Sequence, residues 1–346
     1  MTPPRPRSGN VAPPPAPPPP PPGETPFATL TPERVLDSVD ALGFITNGRL
    51  LALNSYENRV YRVGLEDGNS LIAKFYRAGR WSSDCIREEH SFAQELHEAE
   101  LPVVPPLVVA GQSLHEVEDL RYALFPNRPG RAPELDDAET LRWIGRFLGR
   151  IHGRGAVKKF RHRPALTVAR LGEESVRFLL ASEFLPGDLR PAYEAAASAA
   201  VAQAAATFEA IGPVTSIRLH GDCHHGNILW TTAGPHFVDL DDCMQGPAIQ
   251  DLWMLLSGDR IDMTRQLSLL LEGYEDFREL DRSELALIEA LRTLRILHYA
   301  AWLARRWSDP AFPMHFPWFN GQRYWQDHIL SLREQLAAMD ELPLVV

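Results

Sequence analysis

The segment from Leu219 to Asp242 contains the polar groups that phosphoryl transfer requires. Asp222 and Asn227 stand five residues apart, and Asp239 follows twelve residues after Asn227. A phosphoryl group in transfer carries negative charge on three oxygens, so catalysis needs Mg²⁺ on hard oxygen ligands and a carboxylate that accepts the hydroxyl proton. The spacing predicts Asp222 as the proton acceptor, and Asn227 and Asp239 as Mg²⁺ ligands, with ATP as the donor. Asp239 would thereby also take part in catalysis.

A β-hairpin is expected to bring these residues together. Residues 228–230 predict a strand, residues 231–235 a turn and residues 237–240 the returning strand. The return of the chain would place Asp239 beside Asn227. An ordinary tight turn would explain the His-Gly-Asp segment, and an acidic loop would explain residues 239–242. Neither explains why these motifs occur together in this order.

Lys74 stands within the apolar strand Leu71 to Tyr76, where a buried ammonium group needs an anionic partner. The chain has three lysines against 32 arginines, so a lysine at this position is informative. In phosphoryl transfer a strand lysine contacts the α- and β-phosphates of ATP and is held by a helix glutamate. Glu89 is the predicted partner because it shares a helix face with three apolar residues; Glu88 and Glu95 are the alternatives.

The chain lacks the Gly-x-Gly-x-x-Gly pattern of a phosphate-covering loop. The turn before the second predicted strand reads Leu53-Asn-Ser-Tyr-Glu-Asn-Arg59 instead. Short polar side chains and backbone N–H groups also bind phosphate oxygens. Ser55 is therefore the predicted nucleotide contact in this turn.

The elements expected around these residues define two lobes. Helices are predicted over residues 32–42, capped by Thr31, and 84–99, with strands at 50–54, 60–64, 70–76 and 122–125. Beyond Phe125 the pattern becomes helical, with runs around 141–151, 192–210, 250–256, 264–277 and 283–307. The sequence thus predicts an α+β fold, with a small antiparallel-sheet lobe over 27–125, a mainly helical lobe over 126–346 and a hinge at 126–131.

Composition narrows the class of protein further. The first 26 residues carry a proline-rich run without apolar periodicity, which predicts a disordered tail. A net charge of −10 and the lack of a basic stripe disfavour nucleic acid as a partner. The sequence has neither the apolar core of a signal peptide nor an uninterrupted apolar stretch long enough for a membrane span, so a cytoplasmic protein is expected.

These motifs resemble those of the aminoglycoside phosphotransferase and choline kinase group of protein-kinase-like enzymes, whose catalytic loop carries His-Gly-Asp. A narrower resemblance, to the bacterial stress response kinase A family of serine/threonine kinases, runs from about residue 27 to the end. It is carried by five stretches, Leu53 to Tyr61, Ala73 to Arg77, His220 to His224, Val238 to Asp242 and Gln250 to Met254.

The resemblance implies a cytoplasmic monomer that phosphorylates serine or threonine in a protein and protects cells during envelope or oxidative stress. It also implies Asp222 as proton acceptor, Asn227 and Asp239 as Mg²⁺ ligands and Ser55 as an ATP contact. The residues alone leave the acceptor open. A small hydroxyl compound such as an amino alcohol, sugar or antibiotic is the alternative, and an acidic pocket would favour it. A pseudokinase that acts as a nucleotide-gated binding module is a third reading.

Other features of the loop carry weaker expectations. Asp241 and Asp242 could support a second metal ion or be solvated turn residues, and the sequence favours neither. Adjacent histidines such as His224 and His225 seldom face one ion, which disfavours zinc. Twelve residues from Asp239 to Asp251 are too few for a long activation loop, so activity is expected to be constitutive once Mg²⁺ and ATP are bound.

Overall fold

A computed structural model describes residues 26–346 of the chain. All but the last residue of the predicted tail lie outside the described residues. The amino-terminal part forms a five-stranded antiparallel sheet, and the remainder is mainly helical. The predicted α+β class is therefore confirmed.

The sheet has the order β1-β2-β3-β5-β4. Its strands are β1 (Thr46–Ala52), β2 (Arg59–Leu65), β3 (Ser70–Tyr76), β4 (His115–Val117) and β5 (Leu120–Pro126). Strand β3 has the predicted bounds and lies between β2 and β5. Strand β4 was not predicted, because three residues are too few to show a period.

Two helices cover the two faces of this sheet. Helix α1 (Pro32–Asp40) begins at its predicted cap, and its Val35 and Val39 share a core with Ala73 and Phe75 of β3. On the opposite face, α2 (Ser83–Glu98) packs Ile86 against the end of β3. Because side chains alternate along a strand, Lys74 points away from α1 and toward α2.

The helical part is built around the contact between α3 (Ala138–Gly155) and α7 (Arg260–Tyr274). Glycines let the two backbones approach closely: a Cβ at Gly145 would lie 2.0 Å from the carbonyl oxygen of Leu270. The remaining helices are α4 (Glu174–Ala181), α5 (Arg190–Ile211), α6 (Ile249–Trp253), α8 (Ile288–Arg305), α9 (Ala311–His315) and α10 (Gln322–Met339). Helix α8 begins later than predicted because Arg282–Leu287 forms a 3₁₀ helix.

Two short strand pairs lie within the helical part. Strand β6 (Ile217–Leu219) pairs with β9 (Met244–Gly246), and β7 (Ile228–Thr231) pairs with β8 (Gly234–Phe237). The hairpin is confirmed, but the predicted turn was too long and the returning strand was placed too late. The strand cannot continue to residue 240, because Asp239 adopts a left-handed conformation with φ of 61°.

Candidate active site

Lys74 lies at the centre of a buried ionic cluster. Its Nζ is 2.7 Å from Asp239 Oδ1, 3.5 Å from Asp241 Oδ1 and 3.7 Å from Glu89 Oε1. Burial alone would lower the pKa of Lys74, but the three carboxylates raise it well above its ordinary value. The lysine therefore stays charged and joins β3 to the segment that follows β8.

Of the three candidate glutamates on α2, the structure places Glu89 beside Lys74. The Glu88 carboxylate instead accepts hydrogen bonds of 2.7 to 2.8 Å from the backbone N–H groups of residues 161–163. Glu95 pairs with Arg218 at 2.8 Å. Burial raises the pKa of Glu89 to about 7 against the opposing effect of Lys74.

The loop that carries Asp222 is fixed by the buried Asp251. The Asp251 carboxylate accepts hydrogen bonds of 2.8 Å from the backbone N–H groups of His220 and Gly221. Gly221 has φ of 85°, and a Cβ there would lie 2.1 Å from the carbonyl oxygen of Asp242. Only glycine fits this turn, which explains the Gly of the His-Gly-Asp motif.

Asn227 and Asp239 lie close together at the open end of the hairpin. The Val238 backbone N–H donates to the Asn227 carbonyl oxygen at 3.0 Å, and the His220 ring contacts the Val238 carbonyl oxygen at 3.0 Å. The Asn227 amide Nδ2 donates to the Asp222 carbonyl oxygen at 2.9 Å, which leaves the amide oxygen available. The Asp239 side chain is 51% exposed. An amide oxygen and a carboxylate are ligands that suit Mg²⁺.

The Asp222 side chain contacts a guanidinium group and an imidazole ring. Arg295 Nη1 on α8 donates to Asp222 Oδ1 at 2.7 Å, and His224 Nε2 lies 3.5 Å from Asp222 Oδ2. Burial would raise the pKa of Asp222, but its contacts with His224 and Arg295 lower it well below its usual range. Arg295 could not be found by sequence reasoning, because 73 residues separate it from Asp222 and no motif surrounds it.

The structure also decides features that the sequence left open. Asp241 is 3% exposed and pairs with Arg80, so it is not a solvated turn residue. Asp242 pairs with the same arginine at 2.6 Å. Within residues 26–346, no group of three or more His, Cys, Asp or Glu side chains is arranged to hold a metal ion.

The loop between β1 and β2 is tied to the late helices. Ser55 is half-buried in this loop and makes no side-chain hydrogen bond to another residue in the described part of the chain. The neighbouring Glu57 accepts a hydrogen bond of 2.5 Å from Trp302 Nε1 and pairs with Arg306 and Arg77. Trp302 also packs against the core of the helical part, so the contact with Glu57 joins the loop to that core.

A cavity of about 520 Å³ opens beside Asp222. Its volume lies within the range of small-molecule sites, roughly 300 to 1,000 Å³. It is lined from the catalytic loop by His224, and from α6, α8 and α10 by a mixture of aromatic and charged side chains, which include Trp253, Arg292, Arg295, Tyr299, Tyr324 and Asp327.

The fold and this set of side chains define a phosphotransferase, and the chain belongs to the phosphotransferase enzyme family abbreviated APH, whose family model matches residues 49–288. Among curated relatives, the chain is 43% identical over 318 residues to "Serine/threonine protein kinase RdoA" of Salmonella typhimurium strain LT2. It is 42% identical to "Stress response kinase A" of Escherichia coli strain K12. Each alignment covers 92% of this chain and 96% of the relative.

Solved structures share the fold at low sequence identity. The amicoumacin kinase hAmiN, in complex with AMP-PNP, Ca²⁺ and Ami, matches with a TM-score of 0.70 and 20% identity, over 90% of this chain and 94% of that one. The choline kinase LicA from Streptococcus pneumoniae matches with a TM-score of 0.62 and 13% identity, over 88% and 98% of the two chains. None of the helices described between residues 26 and 346 is long and apolar enough to cross a membrane.

Proposed function

We propose that this protein transfers the γ-phosphoryl group of Mg²⁺-bound ATP to a serine or threonine hydroxyl of another protein. The observation that carries the proposal is a chain of contacts that joins Lys74 to Asp222. It runs from Lys74 to Asp239, from the adjacent Val238 backbone N–H to the Asn227 carbonyl oxygen, and from the Asn227 amide to Asp222. It thereby extends from the nucleotide-side strand to the predicted proton acceptor. The protein acceptor is supported by the extensive similarity to a relative named as a serine/threonine protein kinase.

Each side chain has a defined task in this proposal. Bound Mg²⁺ supplies charge neutralisation at the phosphates. Asn227 Oδ1 and the Asp239 carboxylate hold the ion, and Asp239 also orients Lys74. Lys74 binds the α- and β-phosphates and is steadied by Glu89, while Asp222 orients the acceptor hydroxyl and takes its proton.

The position of the nucleotide follows from the two-lobe organisation. ATP would lie between the lobe of residues 27–125 and the lobe of residues 126–346, with Ser55 above the phosphates. The loop that carries Ser55 is preformed, because Glu57 anchors it to α8. We further propose that the enzyme is a cytoplasmic monomer that acts in a stress response, as the names of its relatives suggest.

A small hydroxyl compound is the second candidate acceptor. The cavity beside Asp222 has the volume of a small-ligand site, and similar folds belong to an amicoumacin kinase and a choline kinase. A cationic acceptor such as choline would need acidic side chains around its charged group. Asp327 is the acidic residue of the lining, and it lies 3.6 Å from Arg323, which weakens this candidate.

The test is transfer of label from γ-labelled ATP in the presence of Mg²⁺, with bacterial cytosolic proteins and a pool of hydroxyl metabolites offered separately. Asp222→Ala serves as the control. Label on protein serine or threonine that disappears in the variant supports the proposal. Label on metabolites alone moves the enzyme to the small-molecule class. No transfer, with nucleotide binding retained, identifies a pseudokinase.

A further inference from the structure

The cavity beside Asp222 carries more positive than negative charge. Its lining residues include two arginines of α8, Arg292 and Arg295, and one carboxylate, Asp327. Asp327 is itself within 3.6 Å of Arg323 on the same helix. A ligand with a negative group is therefore favoured here and an ammonium compound is disfavoured.

The two arginines differ in how firmly they are engaged. Arg292 donates to Glu289 at 3.1 Å, and its guanidinium lies over the Trp253 ring at 5.2 Å. Arg295 is 45% exposed, and Asp222 is the one carboxylate that it contacts among the described residues. A guanidinium has five N–H donors in a planar fork, so Arg295 retains donors for a second anion.

Arg295 also occupies one of the two carboxylate oxygens of Asp222. Its Nη1 is 2.7 Å from Asp222 Oδ1, while the other carboxylate oxygen faces Asn227 Nδ2 and His224 Nε2, each at 3.5 Å. A hydroxyl that hydrogen-bonds to Oδ1 competes with Arg295 for that oxygen. An acceptor that brings its own anion gives Arg295 an alternative partner and opens Oδ1 to the hydroxyl.

We propose that the cavity selects a protein segment in which an acidic residue neighbours the acceptor serine or threonine, and that Arg295 binds this acidic side chain. The inference rests on the proposed kinase function. In the step itself, the hydroxyl oxygen bonds to the γ-phosphorus as the bond to the bridging oxygen breaks. The products are the phosphorylated residue and ADP, and the hydroxyl proton moves to Asp222. Arg295 is a specificity-determining residue in this scheme.

The test uses three matched serine peptides whose flanking residues are glutamate, glutamine or lysine. Wild-type enzyme should phosphorylate the glutamate peptide with a kcat/KM at least about tenfold above that of the lysine peptide, as expected for one charge-assisted contact. Arg295→Met should abolish the preference mainly through the KM for the glutamate peptide, and Arg295→Lys should restore part of it. Arg282→Met, a surface arginine paired with Glu275, should keep the preference.

A binding measurement distinguishes the selection of the peptide by Arg295 from the transfer of the phosphoryl group. Asp222→Asn removes the carboxylate that holds Arg295, so this variant should bind the glutamate peptide more tightly than wild type does, and the added Arg295→Met should reverse the gain. A structural role for Arg295 would not produce such a gain. Calorimetry with the peptides alone provides this readout even if Arg295→Met is poorly folded, because the single Asp222→Asn variant retains Arg295.

The outcomes distinguish the two proposals. Equal transfer to the glutamate and lysine peptides, or a preference that survives Arg295→Met, overturns the selection of acidic segments and leaves the kinase function intact. Selective binding of the glutamate peptide without transfer to any protein or peptide overturns the kinase function and supports the selection. Transfer to a free hydroxy acid such as glycerate in preference to the glutamate peptide overturns the assignment of a protein segment.

Discussion

The two ends of the candidate site have opposite charge arrangements. At the β3 end, one cation, Lys74, is surrounded by the carboxylates of Glu89, Asp239 and Asp241. At the α8 end, one carboxylate, Asp222, is contacted by Arg295 and His224. The β3 end is buried around a 7% exposed lysine, whereas the α8 end opens into a cavity.

The contrast follows from what each end would bind. Nucleotide phosphates carry negative charge, so the β3 end needs a lysine and oxygen ligands for the metal ion that accompanies them. The acceptor brings a neutral hydroxyl, so the α8 end needs one carboxylate whose charge is balanced when no acceptor is present. Variants of each end should therefore fail in different ways.

The largest effect is expected from Asp222→Ala. Loss of the proposed proton acceptor should reduce turnover by about 10⁴-fold, near the upper limit for a general base. Nucleotide affinity should stay near the wild-type value, because Asp222 lies at the acceptor end. Initial rates and the binding of a fluorescent ATP analogue measure the two quantities. A comparable loss of nucleotide affinity would show that the two ends are not separate.

Asp239→Ala should reduce both the turnover and the affinity for the nucleotide. Lys74 loses its nearest carboxylate and the proposed metal ion would lose a ligand, so turnover should fall by about 10³-fold. The affinity for ATP should fall in the presence of Mg²⁺ and change little in EDTA. Unchanged affinity under both conditions would mean that Asp239 holds no metal ion.

Glu89→Gln should have a smaller effect at the same end. Without the carboxylate, Lys74 is positioned less accurately, and a small misplacement can cost about 10²-fold in rate. The matched control is Glu88→Gln, because Glu88 is the adjacent residue and contacts the backbone of residues 161–163 instead. Similar loss in both variants would assign the effect to α2 as a whole. Both kcat and the KM for ATP should be measured.

The smallest effect is expected from Glu95→Gln, which breaks a link between the two ends. Glu95 on α2 pairs with the buried Arg218 on β6, the strand that leads to Asp222. The hydrogen bond from Arg218 lowers the pKa of Glu95 from 4.5 to about 2, with a contribution from Lys158. The pair therefore stabilises the fold above about pH 4.5, and this stabilisation is lost as the pH falls toward 2.

Urea unfolding of Glu95→Gln tests this link. The variant should be less stable than wild type by about 1 kcal/mol near pH 7, since the pair is partly exposed to solvent. The difference should shrink between pH 5 and pH 3. A difference that is constant with pH would attribute the loss to packing rather than to charge.

Local patterns predicted much of the fold but not all of its elements. Strand β3 was predicted with its observed bounds, because the apolar run of residues 70–76 is long enough to show its character. Strands β4, β6 and β9 have three residues each and gave no period. Helix α10 was missed although a signal exists, since Trp325, Ile329, Leu332 and Leu336 recur at helical spacing.

The residues of the site also divide into those that local patterns predicted and those that they did not. Sequence spacing predicted Asp222, Asn227 and Asp239 as one group, and the structure brings them together because one loop and one hairpin hold them. Lys74 was predicted from its unusual place in an apolar strand, and it lies beside Asp239. Glu89 could be chosen over Glu88 and Glu95 as the partner of Lys74, because it shares a helix face with apolar residues. Arg295 could not be predicted, because only the packing of α8 brings it to Asp222.

The phosphoryl-transfer chemistry could be predicted without a structure, since the groups that it needs lie within short segments whose local conformation their own residues impose. Tertiary structure alone decided the surroundings of that chemistry. It set Arg295 against Asp222, buried Asp241 against Arg80 and tied the loop at Glu57 to α8. The physical reason is distance along the chain: these contacts join residues from different elements, and no local pattern encodes which elements will meet.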